Sequence, residues 1–161
     1  MTIRIAVLTV SDRCARGEQE DVSGADIVAW AAEHGYVVAR RGVEADESDR
    51  IAGRLLEWAD SGEVDVIVTT GGTGLAARDV TPEATLAVLE REVPGIPEAM
   101  RRTAAAEVPR AALSRARAGT RGQTLIVNLP GSRGGVRDGL AVLDGFLEHA
   151  VQLVRGEPTD H

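Results

Sequence analysis

The sequence predicts an α/β fold, a three-layer α/β/α sandwich in which a mostly parallel, mixed central sheet lies between two layers of helices. Three observations carry this. Short, almost unbroken apolar runs rich in β-branched residues occur at residues 3–10 (IRIAVLTV), 64–70 (VDVIVTT) and 123–129 (QTLIVNL), as expected of strands buried on both faces. Between them lie segments whose apolar residues recur every three or four positions, the spacing of amphipathic helices. The chain of 161 residues, 43% hydrophobic and 27% charged, is long enough to bury a core without a disulfide or structural metal. Residues 1–156 are expected to form one domain and residues 157–161 a frayed tail.

Taken in order, the first strand (3–10) runs into SDRCARGEQED, too polar to pack and read as a loop over the strand's end. Residues 21–35 follow as a helix burying Val22, Ile27, Trp30 and Ala31, with Gly35 as its stop. Residues 36–43 (YVVARRGV) are less apolar, so this strand is placed near an edge. Ser48 caps the next helix, whose stripe is Ile51, Leu55 and Trp58, and Gly62 ends it. After the strand at 64–70, Thr81-Pro82-Glu83 reads as an N-cap, an N1 proline and an early acid. Gly95-Ile96-Pro97-Glu98 opens another helix in the same manner. Residues 112–119 and 123–129 are expected to form a hairpin across Thr120-Arg121-Gly122. Val136, Leu140, Leu143, Leu147, Val151 and Val154 predict one long final helix.

Composition narrows the function. The formal net charge is -7, which argues against a general nucleic-acid binder, since that role needs a basic surface. All 18 basic residues are arginine. A lysine Schiff base and a Walker lysine are therefore excluded, while phosphate recognition by a fixed guanidinium fork stays open. The lone Cys14 and the absence of a signal-peptide pattern or a membrane-length apolar stretch point to a cytoplasmic protein. Cys14 has no evident base and is given no role. His34, His149 and His161 lack metal-ligand spacing.

Ligands of open parallel sheets bind outside the carboxyl ends of the strands, so the residues following each strand are the candidates. They are Ser11-Asp12-Arg13, Glu44-Ala45-Asp46-Glu47, Gly71-Gly72-Thr73-Gly74 and Pro130-Gly131-Ser132. A glycine turn allows close approach to the main chain and can form an anion nest. By itself it reads equally as a tight strand exit. Asp79 and Asp46 each precede a helix and each reads alone as a cap or a helix-dipole partner. Two acids beside a phosphate-type turn also suit a bridging cation, because Mg²⁺ takes one or two carboxylates plus substrate phosphates. Ser132 is a good N-cap with free N–H groups beyond it, and Arg133 is within reach of a phosphate there. Arg101, Arg102, Arg115 and Arg117 read as solvated faces.

The segment TTGGTGLAARDVTPEAT resembles the signature of the molybdopterin-binding family of molybdenum cofactor biosynthesis, of the MogA/MoaB type. LTVSDR with Gly17, Asp21 and Ser23-Gly24, the Asp46 segment, PGIPEAMR, ALSR and TLIVNLPGS match in the same order, over essentially the whole chain. The resemblance implies a molybdopterin adenylyltransferase that uses Mg²⁺, ATP and molybdopterin and is commonly a homotrimer. It also implies a hand-over to a molybdate-insertion protein. The family's two important acids match Asp46 and Asp79, expected as catalytic and Mg²⁺-binding groups. Its binding residues match Ser11, Asp12, Gly71, Gly72, Thr73, Gly74, Ser114, Pro130, Gly131 and Ser132. Ser132-Arg133-Gly134-Gly135 departs from relatives that carry a proline and a lysine there. A pterin carrier without chemistry is the alternative, and the lack of a second domain speaks against the larger insertion enzymes.

Overall fold

The computed structural model describes residues Met1–Asp160. Six strands form one sheet: β1 (Arg4–Val10), β2 (Val37–Glu44), β3 (Val66–Thr70), β4 (Arg91–Glu92), β5 (Ala118–Arg121) and β6 (Thr124–Leu129). The order is β2-β1-β3-β6-β5-β4. The first four strands in that order are parallel, and β5 and β4 continue the sheet antiparallel. The helices are α1 (Asp12–Ala15), α2 (Val22–Glu33), α3 (Ser48–Asp60), α4 (Thr81–Val88), α5 (Gly95–Ala105), α6 (Arg133–Asp144) and α7 (Leu147–Arg155), with a 3₁₀ turn at Pro109–Leu113.

The alternation of side chains along a strand divides the core into two layers. Ile5, Val7, Val66, Val68, Leu125 and Val127 face α2, α5, α6 and α7, burying Ile27, Trp30, Met100, Val136, Leu140 and Val151 among them. Ala6, Leu8, Ile67 and Ile126 face α3 and α4, against Ile51, Leu55, Trp58 and Val88. Both faces of the central strands are therefore dry, which explains why their sequences are continuously apolar. The expected three-layer sandwich with a mixed sheet is the architecture found. β2 is an edge strand, as its sequence predicts, and carries the exposed Arg40 and Arg41 along that edge.

Several local expectations are corrected. The loop after β1 contains the short helix α1, because the Ser11 side chain caps it by accepting from Cys14 N–H at 3.1 Å. Ser48 does not cap α3; it is the first helical residue, and Glu47 takes the cap position without a side-chain bond. Thr81 is likewise inside α4, and its hydroxyl donates to the Gly71 carbonyl at 3.0 Å. The final helix is two helices, broken at Gly145-Phe146. The hairpin turns at Gly122-Gln123, with Arg121 opposite Thr124, and much of 112–119 is 3₁₀ turn or extended chain. Of the expected tail, residues 157–160 follow α7 without regular structure, and His161 lies outside the described residues.

At the amino ends of the parallel strands lies a charged knot. Asp65, 2% exposed, accepts from the Arg4 main-chain N–H at 2.8 Å and from both Arg4 and Arg155 guanidinium groups. Arg155 also donates to the Thr2 carbonyl at 2.8 Å. Burial pushes the Asp65 carboxyl up, but the two arginines outweigh it and hold the group far below the usual carboxylate range.

Candidate functional site

The carboxyl ends of β1, β2, β3 and β6 lie along one edge of the sheet. At the centre of that edge is the glycine turn following β3. Gly71 and Gly72 have φ of +98° and +69°, a region that side chains rarely adopt. A Cβ on Gly71 would overlap the Val10 carbonyl oxygen, and one on Gly72 the Thr81 hydroxyl. The sequence therefore needs glycine here for both conformation and space. The turn is pinned from both sides. Gly71 N–H donates to the Leu129 carbonyl at 3.1 Å, Thr70 Oγ1 donates to the Pro130 carbonyl at 2.7 Å, and Thr81 N–H donates to the Gly72 carbonyl at 3.1 Å.

The two predicted acids flank this turn. A Cβ on Gly72 would stand 3.1 Å from Asp46 Oδ1, and one on Gly74 would stand 2.9 Å from Asp79 Oδ2. Asp46 and Asp12 are bound reciprocally: Asp12 N–H donates to Asp46 Oδ2 at 2.9 Å, and Asp46 N–H donates to Asp12 Oδ1 at 3.0 Å. Arg78 closes over this pair with a fork on Asp12, at 2.6 and 3.0 Å. Its hydrogen bond holds the Asp12 carboxyl down at about 2. Asp46 is displaced the other way. Burial pushes it up, the Asp12 N–H draws it partly back, and the charges of Asp12 and Asp79 add to the upward shift. Asp79 shapes its own loop, accepting from Ala76 N–H at 3.0 Å, so its role is not that of a helix cap.

On the other side of the turn opens a cavity of about 600 Å³, within the size range of small-ligand sites. Gly72, Thr73, Gly74, Asp79, Ser114, Pro130, Gly131 and Ser132 all line it. Apolar wall is supplied by Pro97, Met100, Val108 and Leu113. Ser11, Asp12, Asp46 and Gly71 are not part of that lining; they lie around the turn on the Asp46 side. The predicted residues thus divide into a cavity group and an acidic group that share one glycine turn. Ser132 is the N-cap of α6, accepting from Gly135 N–H at 3.1 Å, as expected.

Three arginine expectations change. Arg101 is no solvated face: it lines the cavity and its Nη1 donates to the Ser114 and Ala116 carbonyls at 3.2 and 3.1 Å. Arg133 does not face the cavity as a free cation; its guanidinium forks onto Asp26 of α2 at 2.8 and 3.0 Å. Arg115 is no solvated face. Its N–H donates to the Thr73 carbonyl at 2.8 Å, its Nε to the Gly74 carbonyl at 2.8 Å and its Nη2 to the Asp79 carbonyl at 2.7 Å. Sequence reasoning misses this because an arginine on an extended segment leaves no periodic trace. The ALSR match includes Arg115, but it is the serine, Ser114, that carries the expected role there.

Among the described residues, no group of three or more His, Cys, Asp or Glu side chains forms a metal cage. The donor set of Asp46 and Asp79 suits a hard cation that completes its shell with substrate oxygens and water, as Mg²⁺ does. No described helix is long and apolar enough to cross a membrane.

A mostly parallel sheet with a glycine turn, two flanking carboxylates and an adjoining cavity at its carboxyl edge has the arrangement of a small-ligand α/β protein. The particular family follows from comparison: residues 6–149 match the model described as a probable molybdopterin binding domain, and the chain belongs to that family. It is 41% identical over 157 residues to the molybdopterin adenylyltransferase of Helicobacter pylori, covering 96% of this chain and 89% of that one. It is 39% identical over 156 residues to the molybdenum cofactor synthesis protein cinnamon of Drosophila melanogaster, covering 95% of this chain and 26% of that protein. The solved molybdopterin biosynthesis enzyme MoaB of Thermus thermophilus superposes with a TM-score of 0.91 at 47% identity, over 98% of this chain and 99% of that one.

Proposed function

We propose that this chain is a molybdopterin adenylyltransferase, transferring AMP from Mg-ATP to the terminal phosphate of molybdopterin. A phosphate oxygen of the pterin attacks the α-phosphorus of ATP. The bond from that phosphorus to the bridging oxygen breaks, and pyrophosphate leaves. The observation that carries the proposal is the glycine turn with Asp46 on one side and Asp79 on the other, opening onto the cavity. The adenylyltransferase name of relatives about 40% identical supports it.

The attacking phosphate is already an anion, so no general base is needed. Catalysis of this type is positioning plus charge stabilisation. In this reading the cavity takes the pterin against Pro97, Met100 and Leu113, with Ser114 and the Pro130-Gly131-Ser132 loop as polar contacts. The phosphates lie against the Gly72–Gly74 turn and the amino end of α6. Asp46 and Asp79 would hold Mg²⁺, which supplies neutralisation of the triphosphate charge. Ser11 and Asp12 shape the acidic side. The reading extends to a cytoplasmic homotrimer that passes its product to a molybdate-insertion protein.

Pyrophosphate release from ATP, with purified molybdopterin and Mg²⁺, tests the proposal directly. Calorimetry separates it from a pterin carrier: the enzyme binds both pterin and Mg-ATP, and the carrier binds the pterin alone. Silence in both the release assay and the ATP titration would leave the carrier.

A further inference from the structure

Resting on the adenylyltransferase reading, we infer that Arg115 is a positioning residue for the reaction: its guanidinium clasps the 73–83 segment and fixes Asp79 against the glycine turn.

The geometry is specific to a guanidinium. Arg115 Nε donates to the Gly74 carbonyl at 2.8 Å, Nη2 to the Asp79 carbonyl at 2.7 Å, and Nη1 to both Glu83 carboxylate oxygens at 2.8 Å. Its own N–H adds the Thr73 carbonyl at 2.8 Å. One side chain thus holds the start of the segment, the residue that carries the acid, and the first turn of α4. A lysine ammonium is a single point and cannot reach Gly74 and Asp79 in the same fork geometry.

Thr81 holds the far end of the segment to the Gly71 and Gly72 carbonyls, but residues 74–79 have little else to fix them. Leu75, Ala76, Ala77 and Arg78 are exposed. Inside the turn, Asp79 N–H donates to the Ala76 carbonyl at 2.9 Å and Ala76 N–H to Asp79 Oδ2 at 3.0 Å. Those bonds keep the turn's shape but do not attach it to the sheet. For residues 74–79 the remaining anchors are Arg78 on Asp12 from outside and Arg115 from inside. Arg115 also follows Ser114, which lines the cavity. Its main-chain bond to Thr73 is retained when only the side chain is changed, so that wall stays in place. A carboxylate misplaced by about 1 Å at such a centre costs on the order of 10²-fold in rate.

The experiment compares Arg115→Lys and Arg115→Gln with Arg117→Lys in the full chain. Arg117 lies two residues on and is paired with Glu92 at the surface. Three quantities are measured on each folded variant: amide exchange at Ala76 and Asp79 in the absence of ligand, pterin affinity, and the kcat and half-saturating Mg²⁺ concentration of adenylylation. Both Arg115 variants should exchange at least tenfold faster at Ala76. Pterin affinity should stay within about threefold, while kcat falls roughly 10²-fold and the Mg²⁺ requirement rises. Arg117→Lys should match the wild type throughout. Unchanged Ala76 exchange, or a kcat within threefold of wild type in an Arg115 variant whose exchange is faster, overturns the inference. If Arg115→Lys does not fold, Arg115→Gln decides by the same exchange and rate criteria. A wild type without turnover rejects the adenylyltransferase reading instead, and the exchange measurement then decides by itself whether Arg115 fixes the segment.

Discussion

At the level of single residues, Asp46 and Asp79 sit in different surroundings and answer to different tests. Asp79→Asn keeps an oxygen that can accept from Ala76 N–H, so the turn should survive and the melting temperature should change little. The neutral amide loses the charge that would hold a cation. Adenylylation should fall by about 10²–10³, the cost of removing one preorganised electrostatic group. A folded Asp79→Asn with near-normal turnover, measured beside an unchanged pterin affinity, would end the metal assignment. Asp46 is pushed up by its burial and by the neighbouring carboxylates. Its folded form therefore holds a proton more tightly than the unfolded chain does. Stability from this group is full below the ordinary aspartate value near ~3.9 and is lost as pH rises through the raised folded value. Ionised Asp46 thus weighs against folding at neutral pH. Asp46→Asn should melt at or above the wild-type temperature at pH 7 and lose that advantage in acid, while turnover collapses. The acid limb of the wild-type kcat/KM profile should move to lower pH as Mg²⁺ is raised, because a cation held by Asp46 opposes its protonation.

Among the elements, the β3 turn is where fold and site share a requirement. Gly71→Ala forces a Cβ into the Val10 carbonyl at φ +98°, and should cost about 1–3 kcal/mol by strain alone, read by urea denaturation. Thr81→Val removes the hydroxyl that donates to Gly71 and should cost about 1 kcal/mol, with a smaller loss of rate. The central strands and this turn are readable in the sequence because double-sided burial and positive φ each demand particular residue types. β4 is not, since two exposed residues, Arg91 and Glu92, form a strand only by lying beside β5. The break between α6 and α7 is hidden because Leu143, Leu147 and Val151 keep one buried phase across it. The same asymmetry runs through the site. Gly71, Gly72, Asp46 and Asp79 announce themselves by type and place. The Asp12–Asp46 exchange and the Arg115 clasp depend on which distant carbonyls and N–H groups the fold brings near.

Across the whole molecule, the ends of the sheet do different work, and the amino end is tied by Asp65. Its depressed carboxyl contributes stability above the unfolded value near ~3.9, lost as pH falls through the folded value. Asp65→Ala should cost about 3 kcal/mol, the lower end for breaking a buried pair because Arg4 is partly exposed, and should flatten the acid side of the stability–pH curve. Assembly is a second expectation on this scale. The family resemblance is what implies a trimer, and light scattering at micromolar concentration should give a trimer's mass; a monomer would contradict it. The Asp65 knot has one more consequence. It gathers Thr2, Arg4 and Arg155 at the edge of the sheet opposite the glycine turn, so the start of the first strand and the close of the last helix are tied together behind the chemistry. A domain joined ahead of Thr2 or after Arg155 should ride there as freight is coupled behind an engine, with turnover, measured by pyrophosphate release, not registering the added load.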